Sequence, residues 1–293
     1  MENNQISIKK SNNSLMSNIK IQKFQGFDFF HTICGKGKWE EKGNTYESPQ
    51  QKCFDKSKSG DIRLCIKNDK GSSYGSMPFE DLEKIYKENH FLYEILTDKR
   101  KFYLDIEFPS ISEEDNVNKL TLIFKLIKKC FDDLGIETSY KRKRDFFSKN
   151  IGTGEQGTFK DIKKFSAHLV LNNNYYFKSV YDINKFSKYM KQTINENDEF
   201  KDLIYETDRS RDYAIDFGVY TKNRLFKLPY QSKPNSNRIQ RPAPKTTDSL
   251  ESCLISYNNN GECVDVSKIT LKTEEKSYSV TNKAGKIIGK NIS

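Results

Sequence analysis

Residues 101–108 (KFYLDIEF) place two acids two positions apart inside an apolar and aromatic run. Successive side chains of a β-strand point to opposite faces, so Asp105 and Glu107 share one face and their apolar neighbours share the other. Two neighbouring carboxylates repel, and burial of either one without a partner is costly. Mg²⁺ or Mn²⁺ would resolve both problems, since hard cations prefer oxygen ligands. The alternative is an edge strand with a solvated polar face.

The charge balance of the chain favours a polyanionic partner. The 293 residues suffice for one large domain or two packed units. Lys and Arg number 50 against 40 Asp and Glu, which gives a formal net charge of +10. Such an excess attracts nucleic acid through counterion release. A Lys- and Asn-rich composition set by an AT-rich genome would explain the same excess.

Cysteine and histidine usage indicates a reducing, intracellular setting. The six cysteines form no C-x-x-C pair, so ordinary buried thiols are expected. None of the three histidines follows His168, so no structural zinc is expected in the C-terminal part. The polar N-terminus and the Lys-broken apolar stretches predict no signal peptide, no membrane span and no membrane partner.

Apolar periodicity predicts the main elements. Apolar residues at helical spacing predict a helix over residues 112–135, with acids at its start and Gly135 just past its end. Further helices are predicted over 78–89 and 179–194. Strands are predicted over 60–68, 91–96, 164–171 and, with a break, 213–230. A turn at 97–100 predicts that strand 91–96 pairs with or lies beside the strand of Asp105.

These elements suggest five regions along the chain. Residues 1–20 are predicted to be disordered, since they are rich in Asn, Ser and Lys. Residues 21–90 form an N-terminal α/β part and residues 91–235 a catalytic core. A linker and C-terminal segment covers 236–271, and a disordered tail is predicted for 272–293.

A second polar row lies on the predicted strand 164–171 (KFSAHLVL). Lys164, Ser166 and His168 share one face of that strand. A cation, a hydroxyl and an imidazole in one row suit the phosphates of a nucleotide. A half-exposed strand with an incidental histidine is the alternative.

A third segment combines an acid with alternating cations and aromatics. Asp216 lies among apolar residues and needs a partner, which a third metal carboxylate would explain. Downstream, the cations Lys222, Arg224, Lys227 and Lys233 alternate with Tyr220, Phe226 and Tyr230. This pattern suits a nucleotide or a nucleic-acid backbone. A separate basic run consists of Lys141, Arg142, Lys143 and Arg144, and it predicts either a loop over a phosphate backbone or a solvated loop.

The order of these motifs resembles that of the archaeo-eukaryotic primase superfamily. D-x-E is followed by S-x-H and then by an Asp leading into DFGVYTKNRLFKLPYQSK, the most specific part of the likeness. The closest similarity is to eukaryotic primase-polymerases and the primases of large DNA viruses. It runs from about His90 to Lys233. The implied fold is a two-part α/β (α+β) structure, with a catalytic RRM-like antiparallel sheet packed on an N-terminal α/β unit.

The resemblance also implies roles for individual residues. Asp105, Glu107 and Asp216 match the metal-binding, catalytic acids. Ser166 and His168 match residues that contact the phosphates of the incoming nucleotide. Lys164, Arg224 and Lys227 match basic nucleotide-site positions, although relatives often carry Arg where Lys227 stands, and Lys cannot bind phosphate in a bidentate manner. Lys222, Lys233 and the run Lys141–Arg144 are the candidate nucleic-acid contacts.

The implied activity is template-dependent nucleotidyl transfer on single-stranded DNA, with two divalent ions, Mg²⁺ or Mn²⁺. The partners would be the template, ribo- or deoxyribonucleoside triphosphates, and a replicative helicase or single-strand-binding protein. The implied location is the nucleus or mitochondrion of a eukaryote, or a viral replication site. The chain departs from many relatives in lacking a C-terminal Cys/His zinc module, so primer extension is better supported than de novo priming.

Two other classes of function stay open from the residues. A metal-dependent nuclease also uses clustered acids, but its usual D…E-x-K pattern would need a lysine where Pro109 stands. A catalytically inactive single-stranded nucleic-acid-binding protein would explain the charge and the aromatics. It would leave the three acids without a purpose.

Overall fold

The computed structural model describes residues 19–32, 48–69, 71–138, 147–152, 158–159, 162–172, 174–206, 211–243, 249–257, 259–272, 278–281 and 287–291. The chain has a mixed α+β fold built around two antiparallel sheets. No helix in these ranges is both long enough and apolar enough to cross a membrane.

The first sheet has six strands, five from the N-terminal third of the chain and one from far downstream. They are β1 (Ile19–Phe24), β2 (Phe27–Thr32), β3 (Ile62–Asn68), β4 (Gly71–Met77), β5 (Leu92–Ile95) and β13 (Leu225–Lys227). Their spatial order is β1-β2-β4-β3-β5-β13, with every pair antiparallel. Helices α1 (Pro49–Lys56) and α2 (Phe79–Ile85) belong to the same part of the chain.

The second sheet carries the D-x-E and S-x-H segments. Its strands are β6 (Tyr103–Pro109), β7 (Phe147–Gly152), β8 (Thr158–Phe159), β9 (Ile162–Leu171) and β14 (Gln240–Pro242). The order is β14-β7-β9-β6, and the short β8 pairs with β9. Short pairs elsewhere are β10 (Tyr175–Tyr176) with β15 (Glu262–Cys263), and β11 (Ile204–Glu206) with β12 (Arg211–Tyr213).

Two amphipathic helices, α3 (Glu113–Asp132) and α4 (Val180–Glu196), contribute to the main core with this sheet. Ser112 caps α3 by accepting a hydrogen bond from the Asp115 amide at 3.0 Å, and Gly135 after its end has φ +77°. Both features satisfy groups that a helix end leaves unpaired. The buried contacts include Leu104, Ile106 and Phe108 of β6, Ile123, Ile127 and Phe131 of α3, and Ile183, Phe186 and Met190 of α4.

The C-terminal segment packs into the body of the protein. Helix α5 (Leu250–Cys253) and the residues after it bury Leu254 and Ile255 completely. The buried carboxylate of Glu94 accepts hydrogen bonds from the amides of Ile255 and Ser256 at 2.9 and 2.7 Å. Within the predicted linker and C-terminal segment, the residues around Leu254 and Ile255 are thus packed against the rest of the protein.

The structure corrects the expected pairing of the strand 91–96 with the strand of Asp105. Strands β5 and β6 do not pair, because β5 lies in the first sheet and β6 in the second. The connection over residues 97–100 therefore crosses between sheets instead of closing a hairpin. In the predicted disordered tail, β16 (Tyr278–Thr281) and β17 (Ile287–Asn291) form an antiparallel pair.

Candidate active site

The pairing of β6 with β9 sets two rows of polar side chains beside each other. Asp105 lies opposite His168 and Glu107 opposite Ser166, while Pro109 lies opposite Lys164. Directly opposed residues of an antiparallel pair point to the same face. The other face is apolar core, where Ile106 and Ala167 are fully buried. One face of the second sheet thus collects the D-x-E acids and the S-x-H row.

A direct ion pair joins the two rows. Lys164 Nζ lies 2.5 Å from Glu107 Oε2, and both side chains are partly exposed. The ammonium neutralises one of the crowded carboxylates. It is also placed to contact an anionic ligand that enters along this face.

Backbone hydrogen bonds connect the segment of Asp216 to the strand that carries Asp105 and Glu107. Its amide donates to the Asp105 carbonyl at 2.8 Å, and the Glu107 amide donates to the Ala214 carbonyl at 3.0 Å. The sequence predicted that Asp216 sits on a strand, enclosed by apolar residues, and this is wrong. Asp216 follows a single bridge at Ile215, is exposed, and caps a short 3₁₀ helix through the Gly218 amide. The local pattern was misleading because the alternation stops at this cap.

The carboxyl of Asp105 is strongly perturbed by its surroundings. Burial raises the pKa of its carboxyl to about 7, and the neighbouring charges of Glu107 and Asp216 push it further in the same direction. Lys233 and Arg224 oppose this rise of the pKa. Burial and two like charges disfavour the ionised form, whereas a nearby cation favours it.

The three carboxylates fit a divalent cation in chemistry and in electrostatics. Their oxygens are the hard ligands that Mg²⁺ or Mn²⁺ prefers, and a cation among them would relieve the repulsion that raises the pKa of Asp105. Within the described ranges, no three His, Cys, Asp or Glu side chains are already gathered as a formed metal-binding group.

Cations from β13 and the loop after it face these acids. Burial lowers the pKa of Lys227 to about 8, and Lys233 and Arg238 lower it further, whereas Asp105 and Glu107 raise it. The pKa of Asp105 in turn responds to Arg224 and Lys233. The acids on β6 and the cations in and around β13 are therefore close enough to affect each other's pKa values.

His168 is held neutral at the base of the site. Burial lowers the pKa of its imidazole well below the ordinary value, and the charges of Lys227, Lys233 and Arg224 also lower it. The ring packs against Phe226 with 3.9 Å between centroids, and its Nε2 lies 3.8 Å from Asp105 Oδ1. Its buried Nδ1 has no hydrogen-bond partner. The ring also makes a hydrogen bond with the Lys227 backbone, and because a neutral imidazole has a single donor, it can donate to a ligand oxygen only by giving up that bond.

Some predicted residues fall outside this cluster. Lys222 is exposed in the turn before β13, and the structure gives it no contact with the acids. Lys141, Arg142, Lys143 and Arg144 lie outside the described residues. Their assignment as nucleic-acid contacts stays a prediction.

Sequence reasoning missed three residues of the site. Arg238 lies in the predicted linker yet lowers the pKa of Lys227, and its Nε is buried without a partner. Tyr205 donates to the Glu107 carbonyl at 3.3 Å. Phe226, which the sequence places only in a basic and aromatic stretch, packs on His168. The sole sequence signal for Arg238 is a lone cation among Pro and Asn, which does not reveal that the chain returns to the site.

Comparisons with known proteins leave the family of this chain open. Its sequence matches none of the protein-family models and none of the curated proteins with which it was compared. The site geometry and the motif resemblance therefore carry the functional argument by themselves.

Proposed function

We propose that this chain is a nucleotidyltransferase that acts on a single-stranded DNA template. It would extend a primer on that template and, as a primase, would also start new strands. It would be a DNA primase or a primer-extending polymerase of the archaeo-eukaryotic primase superfamily. The two-sheet architecture is compatible with that assignment, the second sheet then corresponding to the RRM-like catalytic sheet of the family.

One observation carries the proposal. The register of β6 and β9 puts Asp105 and Glu107 directly beside His168 and Ser166 on one face, with Lys164 in contact with Glu107. The acidic pair would hold metal and the neighbouring row would bind the triphosphate, while Lys227, whose pKa responds to Lys233, Asp105 and Glu107, would add a cation to the same site. Phosphoryl transfer needs both in close proximity.

Different residues would bind the metal ions and the phosphates. Asp105, Glu107 and Asp216 would hold two divalent ions, whose chemistry is to lower the pKa of the attacking 3′-hydroxyl and to neutralise the triphosphate. Lys164 releases Glu107 and binds a phosphate oxygen, and the neutral His168 donates a hydrogen bond to another.

The cations across the site orient the leaving group. Lys227 has a pKa lowered to about 8, so it is mostly protonated at pH 7 and gains a counter-charge when phosphates arrive. Arg224 offers the planar donor pattern that suits phosphate oxygens, and Lys233 adds a point charge. Together they align the α-phosphate for in-line attack.

The decisive experiment measures incorporation of labelled nucleotides on an unprimed and on a primed single-stranded template. Both ribo- and deoxyribonucleotides are supplied, with Mn²⁺ or Mg²⁺. The wild-type chain is expected to extend the primed template, and the double change Asp105→Ala with Glu107→Ala should remove that activity. Chelation of the divalent ions should have the same effect.

A matched control variant tests whether the loss of activity is specific, and the same assays distinguish the other two classes of function. Glu113→Ala with Asp115→Ala replaces two acids at the start of α3 and should leave incorporation unchanged. Wild-type incorporation by the Asp105/Glu107 variant would refute the metal assignment. Cleavage of the single strand without nucleotides would indicate a nuclease, and metal-independent binding without incorporation an inactive binder.

Activity would require further partners in the cell. A replicative helicase would expose the template, and a single-strand-binding protein would keep it open. The corresponding location is the nucleus or mitochondrion of a eukaryote, or a viral replication site.

A further inference from the structure

One cavity is lined by residues other than those of the candidate active site. It has a volume of about 370 Å³ and is lined by Lys101, Asn174, Tyr175, Tyr176, Asn259, Asn260 and Gly261. None of these residues belongs to the acidic or basic groups described above. The volume falls within the range of small-molecule sites, roughly 300–1,000 Å³.

Hydrogen bonds between distant segments hold the cavity walls. Strand β10 pairs with β15 on one side, and the Lys101 amide donates to the Ile255 carbonyl at 2.8 Å on the other. At Gly261 the two walls meet so closely that an added Cβ would overlap the Asn174 carbonyl. The cavity is therefore part of the folded structure and needs no rearrangement to exist.

Two nearly fully buried polar side chains reach this cavity. Asn259 is 7% exposed, and its amide nitrogen donates to the carbonyls of Lys99 and Ile255, each at 3.1 Å. Its Oδ1 is buried without any hydrogen-bond partner. Because an unpaired buried acceptor is costly, this oxygen calls for a donor from a molecule inside the cavity.

Lys101 supplies the complementary group. It is 8% exposed, and its Nζ donates to the Glu251 carbonyl at 2.9 Å and, more weakly, to Asn172 Oδ1 at 3.4 Å. An ammonium has three donors, so one remains for a ligand acceptor. Burial also lowers the pKa of Lys101, and an acceptor in the cavity would favour its charged form.

The remaining lining is aromatic and basic. Tyr175 and Tyr176 are half-buried at the cavity, and Lys99 Nζ lies 4.3 Å from the centroid of the Tyr176 ring. A ligand that suits this lining has a flat π-face, a donor for Asn259 and an acceptor for Lys101. Nucleobases combine these features, since each carries donors and acceptors on one edge and stacks on aromatic rings.

We propose that the cavity between β10, β15 and the Asn259 segment binds a nucleobase, supplied by a free nucleotide or by a base of a single strand. This site is separate from the proposed catalytic site, and the inference does not rest on catalysis. A base bound here would give the protein a second point of contact with its nucleotide or nucleic-acid ligand.

The test measures binding in the full chain with divalent ions chelated, using two kinds of probe. Deoxynucleoside monophosphates report on a free nucleotide. A short oligodeoxynucleotide, compared with an abasic oligomer of equal length and charge, reports on a strand base. Stacking supplies about 1–3 kcal/mol per base, so Tyr176→Leu should weaken the base-dependent binding by roughly fivefold or more.

Matched variants separate this site from general effects. Tyr176→Phe keeps the ring and should bind within about twofold of wild type, since stacking needs only the π-face. Tyr181→Leu makes the same change as Tyr176→Leu on α4, at a tyrosine that is 71% exposed, and should have no effect. Lys101→Met provides an independent variant, with thermal melting as the check that it folds.

Each outcome is informative. Loss of monophosphate binding in Tyr176→Leu and Lys101→Met identifies a free-nucleotide site. Loss confined to the oligomer, with the abasic strand unaffected, identifies a strand base. Unchanged binding of both probes in both variants overturns the proposal and leaves a cavity that holds water only. Asp105→Ala with Glu107→Ala should not alter this binding, so failure of the catalytic proposal would be seen separately.

Discussion

At the scale of single residues, Asp105 shows a conflict between stability and function. Its face on β6 was predictable from the alternation of the sequence, and the pairing of Asp105 with His168 puts it in the site. Burial and two neighbouring acids raise its pKa to about 7, so the folded protein holds a proton that the unfolded chain releases. A carboxylate that is costly to keep ionised in the fold suggests a role outside stability.

This conflict predicts that Asp105→Asn stabilises the metal-free protein at high pH. A carboxyl with a folded pKa near 7 and an unfolded pKa near 4 loses stability as pH rises between those values. At pH 8 we expect Asp105→Asn to be more stable than wild type by about 1–3 kcal/mol, and at pH 4 the difference should vanish. Denaturant unfolding in the presence of a chelator measures both.

The control is Asp198→Asn, which changes a carboxylate whose side chain is 89% exposed. It should shift the stability by no more than about 0.5 kcal/mol at either pH. A gain for Asp105→Asn that is equal at pH 4 and pH 8 would contradict the assignment of the raised pKa to this carboxyl.

At the scale of elements, local patterns predicted what each segment forms but not which segments pair. Helix α3, with its Ser112 cap and Gly135 terminator, follows its predicted limits, and β9 covers the predicted strand. Helix α2 ends at Ile85, shorter than expected. Strand partners depend on contacts between residues far apart in sequence, so the separation of β5 from β6 could not be read from a turn-like segment.

Gln231 illustrates such a distant contact, because it anchors the loop that carries Lys233. The fully buried side chain accepts from the amides of His90 and Leu92 at 2.7 and 3.2 Å. It also donates to the carbonyls of Tyr86 and Glu88, each at 2.8 Å. One amide therefore ties the loop to the segment between α2 and β5.

Gln231→Ala is expected to cost about 2–4 kcal/mol of unfolding free energy, because several buried backbone groups lose their partner together. Thermal or denaturant unfolding measures the loss. The proposed function adds that KM for the nucleotide should rise as Lys233 loses its position. Asn237→Ala, an exposed change in the same loop, should affect neither quantity, and a Gln231→Ala protein as stable as wild type would contradict the anchoring role.

At the scale of the whole molecule, β13 joins the two sheets and thereby creates the site. Its backbone pairs with β5 in the first sheet, while Phe226 packs on Tyr103 and His168 of the second. The acids and the cations come from opposite sides of this junction. The motif order in the sequence suggested that the acids and Lys227 act together, but the packing of β13 is what brings Lys227 close enough for Asp105 and Glu107 to affect its pKa.

Phe226→Ala should therefore loosen the junction and expose His168 to water. Loss of a buried phenyl ring costs about 3–5 kcal/mol, measurable by unfolding. With desolvation reduced, the pKa of His168 should rise toward its ordinary value, which NMR titration of the imidazole can follow. Phe54→Ala, a change in helix α1 where it packs against residues of the first sheet, should lower stability but leave the His168 titration unchanged. An unshifted titration in Phe226→Ala would show that the ring does not shield the imidazole.

The net charge of +10 leads to a final prediction, which concerns how the whole molecule holds a single strand. Each phosphate contact made by a cation contributes about −0.7 to the slope of log affinity against log salt for a single-stranded ligand. Lys222, in the turn before β13, and Lys233, in the loop after it, are both exposed, so Lys222→Ala and Lys233→Ala should each flatten the slope by about that amount if the strand runs past β13. Fluorescence anisotropy with a labelled oligodeoxynucleotide, without nucleotide or metal, measures the slopes.

Lys201→Ala is the matched control, because Lys201 lies 2.8 Å from Asp198 and belongs to a 3₁₀ helix after α4 rather than to the β13 region. All three variants remove one positive charge, so an effect of net charge alone would flatten all three slopes equally. Flattening confined to Lys222→Ala and Lys233→Ala would instead locate the strand along the cationic side of the site. Weaker binding with unchanged slopes in both would mean that these lysines do not contact phosphates and that the strand follows another surface.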